Sequence, residues 1–302
     1  MLRIRLLACL LSLSIGVSLR SQPATPTAPA TTAPLCIGIL GASVSDGFGC
    51  LLRENRADGI HEAPFRLATM VALVCGDRPL RFVDQASSGM GLNAKRIGNG
   101  AVSAVLDAEP QCVIALDFLF WYCYGQHGPR NKLEETEARR LASFEQGLNE
   151  LARFKVPVVV GDIPDMSRSV GRFLPAAFMP QLASIEAANT RLADWAKEHP
   201  NVRVVPLSKL IRQLQEGKVV EVAGKPFAAT DEQPLLQADQ LHATAAGLAA
   251  IACVLVDELA QAKPEFALPR GCDPAVVLTS ARASLVKKAA PIRAPQPADA
   301  GK

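Results

Sequence analysis

No Cys-x-x-Cys pair occurs in this chain, and its four histidines are scattered. The usual zinc-ligand spacings and the common thiol–disulfide redox motif are therefore both missing. Nor is charge of one sign in excess, since 32 Lys and Arg stand against 29 Asp and Glu, for a formal net charge of +3. With no basic stripe interleaved with aromatics, that balance argues against a nucleic-acid partner. Aromatic residues make up only 5% of the chain, including two Trp and two Tyr, so a local concentration of them stands out. No internal repeat is visible, which sets aside solenoids and propellers.

The apolar run Leu6–Leu19 follows Arg3 and Arg5 and reads as a signal peptide over residues 1–21. It is too short and too poorly flanked to cross a membrane; an uncleaved anchor and a lipoprotein site at Cys9 are the alternatives. The expected location is outside the cytoplasm, periplasmic or extracellular, with no stable membrane span once the signal is removed. Residues 22–34, rich in Pro, Ala and Thr, read as a disordered linker, and residues 279–302 as a disordered tail. One folded domain is expected over 35–278. Loss of Cys9 with the signal leaves seven cysteines. Cys36, Cys75, Cys112 and Cys253 lie inside apolar runs and read as small buried hydrophobes, and one bridge near Cys272 stays open.

Within 35–278, apolar runs at 35–40, 80–85, 112–120, 156–163 and 202–207 alternate with helical patterns at 62–75, 100–108, 132–154, 180–199 and 245–262. Runs apolar at nearly consecutive positions are what strands covered on both faces require. The alternation predicts an α/β fold, a parallel sheet with helices on both sides. In such sheets ligands bind beyond the carboxyl ends of the strands, which directs attention to 41–49, 86–91, 117–128 and 161–167.

The first of these places reads Gly41-Ala42-Ser43-Val44-Ser45-Asp46-Gly47. A serine in a tight glycine-flanked turn that opens a helix has an exposed hydroxyl and nearby backbone N–H groups, but it needs a base to act as a nucleophile. Near the C-terminus stands Asp239-Gln240-Leu241-His242. A carboxylate three residues before an imidazole can hold one ring nitrogen and leave the other free to face a serine.

Together the two blocks resemble the SGNH (GDSL-type) hydrolase family, which carries Gly-Asp-Ser-x-Ser-x-Gly after its first strand and Asp-x-x-His near its end. Here Ala42 replaces the first block's aspartate, the second block is intact, and Gly247 follows it. The resemblance implies a three-layer α/β/α sandwich, flavodoxin-like, with a five-stranded parallel sheet. It also implies a catalytic set of Ser43, Asp239 and His242, an oxyanion hole built on the N–H groups of Ser43 and Gly89, and no cofactor or metal.

The family's Gly-x-Asn-Asp block is not present. The aligned stretch is Asp117-Phe118-Leu119-Phe120, so Leu119 stands where the asparagine donor belongs. Just beyond it, Trp121, Tyr122 and Tyr124 gather one Trp and both Tyr. These three and Asp117 are candidate substrate-binding residues, and core packing is the plainer reading of the aromatics. Trp121, Tyr122, Tyr124 and Gln126 are candidate replacement donors for the oxyanion. Asp162 and Asp165 flank the next strand end and fit either substrate contacts or a turn built on Pro164. The expected activity is ester hydrolysis on a small-molecule or carbohydrate O-acyl ester. The alternatives are an idle scaffold that binds a glycan and an O-acyltransferase.

Overall fold

The computed structural model describes residues 33–125, 136–217, 219–222, 224–228, 230 and 234–287. The signal segment, the linker up to residue 32, Gln126 and the tail beyond 287 lie outside the described residues.

The chain begins with β1 (Leu35–Ile39), α1 (Ser43–Asp46), the hairpin β2 (Leu51–Arg56) and β3 (Gly59–Pro64), α2 (Leu67–Cys75) and β4 (Leu80–Asp84). It continues through α3 (Ala94–Asp107), β5 (Cys112–Ala115), α4 (Phe120–Tyr124), α5 (Glu137–Leu151), β6 (Val158–Gly161), α6 (Leu182–Glu198), β7 (Val202–Val205) and α7 (Leu207–Gln215). A small ribbon of β8 (Val220–Val222) and β9 (Lys225–Phe227), then α8 (Ala245–Ala262), α9 (Pro274–Ala283) and β10 (Val286–Lys287), complete it.

β4, β1, β5, β6 and β7 form, in that order, a parallel five-stranded sheet. Counting sheet strands along the chain, the order is 2-1-3-4-5, the flavodoxin-like arrangement. The inner strands β1, β5 and β6 are buried at every position, because helices cover both faces. α2, α8 and α9 pack together on one side, and α3, α5 and α6 on the other. α8 is long and apolar enough to cross a membrane by length and composition, yet 72% of it is buried inside the fold. It is the central core helix.

The expected three-layer sandwich with five parallel strands is what forms. Its elements differ in extent from the sequence expectation. The run 112–120 leaves the sheet at Ala115 and turns into α4. The helix expected from residue 62 begins at Leu67, because 59–64 pairs with β2; the Asp58-Gly59 step at that hairpin is a turn signal. α7 buries Leu207, Leu210, Ile211 and Leu214 at helical spacing. The folded body also runs past 278, since α9 continues to Ala283 and β10 pairs with β3. The tail expected from residue 279 is therefore ordered up to 287.

Candidate active site

The sheet order reverses between β1 and β5, and the segments leaving those two strands meet at their carboxyl ends. α1 follows β1 and opens with Ser43. Its N-cap, Ala42, supplies no side-chain cap. Asp117, just beyond β5, does that work from across the sheet. One carboxylate oxygen accepts from the Ala42 N–H at 2.9 Å and the Ser45 hydroxyl at 2.5 Å, the other from the Val44 N–H at 2.8 Å and the Ser45 N–H at 3.4 Å. A carboxylate at a helix N-terminus satisfies donors that the helix itself cannot. Gly41 makes room for it, because a Cβ there would lie 2.4 Å from Asp117 Oδ1 and 2.3 Å from Ser45 Oγ. Gly47, at φ +77°, ends the turn where a Cβ would meet the Phe65 carbonyl at 2.0 Å.

Asp117 is thus a buried structural carboxylate that holds the serine turn. It forms part of the cavity wall beside Ser43, but its oxygens are engaged, which corrects the expectation that it binds substrate. Burial pushes its carboxyl above the ordinary range, against the opposing pull of the Ser45 hydroxyl and the three N–H groups. The four donors from residues 42–45 leave out one backbone group. The Ser43 N–H has no acceptor among the described residues and is available to an oxyanion.

His242 reaches Ser43 from a tight loop. Gln237 N–H donates to the His242 carbonyl at 2.8 Å, and the Gln237 side chain donates to the carbonyls of Phe48 and Ala243 at 2.8 and 2.9 Å. The loop carries Gln240 at φ +61°, and Gln215 donates to the Gln240 carbonyl at 3.0 Å. Asp239 Oδ1 accepts the N–H groups of Leu241 and His242 at 2.9 and 3.0 Å, and its Oδ2 lies 2.6 Å from His242 Nδ1. Burial alone would raise the Asp239 carboxyl, but the His242 ring and these backbone donors outweigh it and hold it below the ordinary carboxylate range. An ionised carboxylate only accepts, so Nδ1 carries a proton, and in the neutral ring Nε2 then presents its lone pair. Nε2 lies 2.9 Å from Ser43 Oγ. Ser43 is 8% and His242 1% exposed, so this chain of hydrogen bonds is largely withdrawn from water.

Gly89 sits in the turn 88–91, tied to α1 by Asp46, which accepts from the Ser88 N–H at 2.9 Å and the Ser88 hydroxyl at 2.6 Å. Arg66 braces the same junction through ion pairs to Asp46 and Asp84 at 3.0 and 2.9 Å. The Gly89 N–H, however, donates to Ser87 Oγ at 3.1 Å. In this conformation the expected second oxyanion donor already has an acceptor.

Of the expected substrate-binding aromatics, Tyr122 and Tyr124 are buried in the core and Trp121 is partly buried against it. Tyr122 is buried between α3 and α5, where a Cβ on Gly98 would lie 2.3 Å from its hydroxyl oxygen. Tyr124 is buried, donates to the Pro164 carbonyl at 2.7 Å and accepts from the Met166 N–H at 2.9 Å. Trp121 lies edge-on to Phe120 and Phe178 and covers Gly91. Core packing, the plainer reading, describes all three. Asp162 serves the turn as well, since both its oxygens hold Ser208. Among the described residues no three His, Cys, Asp or Glu converge as for a metal.

Leu119, aligned with the family's asparagine, is 1% exposed and packs on α5, with Cδ2 only 2.7 Å from where a Gly147 Cβ would be. Leu119→Asn is therefore expected to cost about 3 kcal/mol of stability, from a lost apolar contact and a buried amide, and to give no gain in hydrolysis. A thermal melt beside an ester assay checks this; a faster enzyme with an unchanged midpoint would mean that the side chain at 119 turns toward Ser43.

Two residues beside His242 were not anticipated. The Phe48 and Phe173 ring centroids lie 4.6 and 4.7 Å from the imidazole and 5.4 Å from each other, and each ring is 43% exposed. Phe48 follows the serine block directly, a usable signal. Phe173 comes from a distant loop whose Arg172 donates to the Ala238 carbonyl at 3.1 Å, and nothing in its local sequence marks it.

No family model and no curated protein matches the chain. Solved structures that are similar include the acetylxylan esterase Axe2 from Geobacillus stearothermophilus, at TM-score 0.47 and 13% identity over 74% of this chain and 94% of that one. AlinE4, a SGNH-hydrolase family esterase, is similar at TM-score 0.39 and 19% identity over 80% and 100%. BT4096, a gut microbial diltiazem-metabolizing enzyme, is similar at TM-score 0.45 and 12% identity over 74% of this chain, which spans only 46% of BT4096. At such identities no role is carried from these proteins to this chain.

Proposed function

We propose that this protein is an exported serine esterase acting on a small or carbohydrate-linked O-acyl ester. The observation that carries the reading is the relay Ser43 Oγ to His242 Nε2 at 2.9 Å and His242 Nδ1 to Asp239 Oδ2 at 2.6 Å. Ser43 Oγ attacks the acyl carbon while its proton passes to His242 Nε2. Asp239 stabilises the imidazolium that results, and the Ser43 N–H receives the developing oxyanion. Collapse breaks the ester C–O bond as His242 protonates the leaving alcohol. Water then attacks the acyl-enzyme with His242 as base, releasing the acid and restoring Ser43. Export rests on the Arg3/Arg5 and Leu6–Leu19 segment.

Each oxyanion donor missing from such a site costs roughly 10²–10³ in rate. A slow enzyme is therefore expected, whose nucleophile a fluorophosphonate probe still labels. Mass mapping of the labelled protein should place the adduct on Ser43. Absence of label on folded protein would favour a binding scaffold, the reading for which Leu119 and the occupied Gly89 N–H speak.

A further inference from the structure

An apolar cavity opens beside Ser43, walled by Phe120, Pro164, Met166, Leu207, Ile211 and Leu241. Its place is set by the reaction geometry. His242 must deliver its proton to the leaving oxygen, so the alcohol part of an ester occupies the His242 side of Ser43. There Phe48 and Phe173 are open to solvent. The acyl part must extend away from the imidazole, and neither His242 nor Phe48 nor Phe173 is among the residues that line this cavity. Apolar walls suit an alkyl chain.

The cavity is small, about 30 Å³, set against the roughly 10–15 Å³ that one water occupies. That is space for two or three heavy atoms in all, the carbonyl carbon included. The walls have little slack. Phe120, Met166, Leu207, Ile211 and Leu241 are all buried. Phe120 is stacked on Tyr124 with centroids 4.0 Å apart, and the Tyr124 hydroxyl bridges the Pro164 carbonyl and the Met166 N–H. Tyr124 is in this way a positioning residue for two sides of the cavity. α7 presents Leu207 and Ile211 from the same buried face that anchors it to the core.

We infer that the ester accepted at Ser43 carries a two- or three-carbon acyl group, acetyl or propionyl, and that Ile211 and Met166 set this limit while the alcohol is left unrestricted in size. This rests on the esterase reading above. Once a pocket is full, each further methylene is rejected by a factor of ten or more.

The test is the kcat/KM series of nitrophenyl acetate, propionate, butyrate, hexanoate and octanoate on the full chain, with Ser43→Ala as background. The expected profile is highest at acetate or propionate and at least about 100-fold lower at octanoate. In Ile211→Ala the hexanoate-to-acetate ratio should rise at least about tenfold. Ile211→Val, which removes one methyl and disturbs the fold less, should raise the butyrate-to-acetate ratio. Ser43-dependent hydrolysis that is as fast on octanoate as on acetate overturns the inference and leaves the esterase reading standing. Unchanged ratios in both folded Ile211 variants overturn it in the same way. No Ser43-dependent hydrolysis of any ester, together with no fluorophosphonate adduct, overturns the esterase reading and this inference with it.

Discussion

Ser43→Ala is expected to lower kcat for nitrophenyl acetate by about 10³-fold or more, to a rate set by solution hydrolysis and by whatever binding remains. The 2.9 Å contact to His242 Nε2 is the route, among the described residues, by which the proposed mechanism removes the hydroxyl proton. The variant removes the nucleophile without disturbing the Asp117 contacts, which reach Ala42, Val44 and Ser45 rather than the Ser43 side chain. His242→Ala should cost about as much, and the double variant scarcely more than either, because the two groups act as one unit. Stopped assays on purified protein, with circular dichroism to show that each variant is folded, decide the matter. A Ser43→Ala protein that hydrolyses at the parent rate removes the nucleophile assignment outright.

Asp239→Asn should lower kcat by roughly 10⁴-fold while changing the structure little. The reason lies in the two oxygens of Asp239. Oδ1 accepts two backbone N–H groups, so in the variant the amide oxygen must take that place and the NH₂ must face His242 Nδ1. Nδ1 then has to accept, the ring proton moves to Nε2, and Nε2 can no longer take a proton from Ser43. The same substitution bears on stability. Asp239 is held below its ordinary value of 3.8 in the folded chain. A depressed carboxylate contributes stability that is complete above the unfolded value and disappears as pH falls through the lower folded value. The melting midpoint of Asp239→Asn should therefore fall furthest below that of the parent chain near neutral pH, and the gap should close as the solution is acidified past that point. A gap that stays constant down through the acid range would mean that the ionised carboxylate does not stabilise the fold.

The two candidate catalytic blocks were legible because each is local. Gly41–Gly47 is a turn whose glycines and hydroxyls are adjacent in the chain, and Asp239 and His242 are three residues apart, so chain stereochemistry alone brings their side chains together. The buried strands were legible for a similar reason, since strands covered on both faces must be apolar throughout. Strand ends and short helices were not. Leu116–Phe120 is apolar apart from Asp117, and it leaves the sheet where Asp117 accepts from the N–H groups of Ala42 and Val44.

Whatever depended on partners far along the chain stayed hidden. Asp117 binds residues 72 to 75 positions away, and no spacing rule separates a carboxylate that caps a distant helix from one that meets a substrate. Leu119 and Phe120 are neighbouring apolar residues; which of them turns toward α5 and which toward Ser43 is settled by the rotation of α4 on the sheet. Phe173 and Ile211 reach the site from separate loops and helices, and Gly89 loses its free N–H to a hydroxyl two residues away. Composition and local spacing thus specified the pairing of Ser43 with His242 and the layered fold that presents it. Long-range packing shaped the cavity and the donors around that chemistry, because it determines which side chain faces which space.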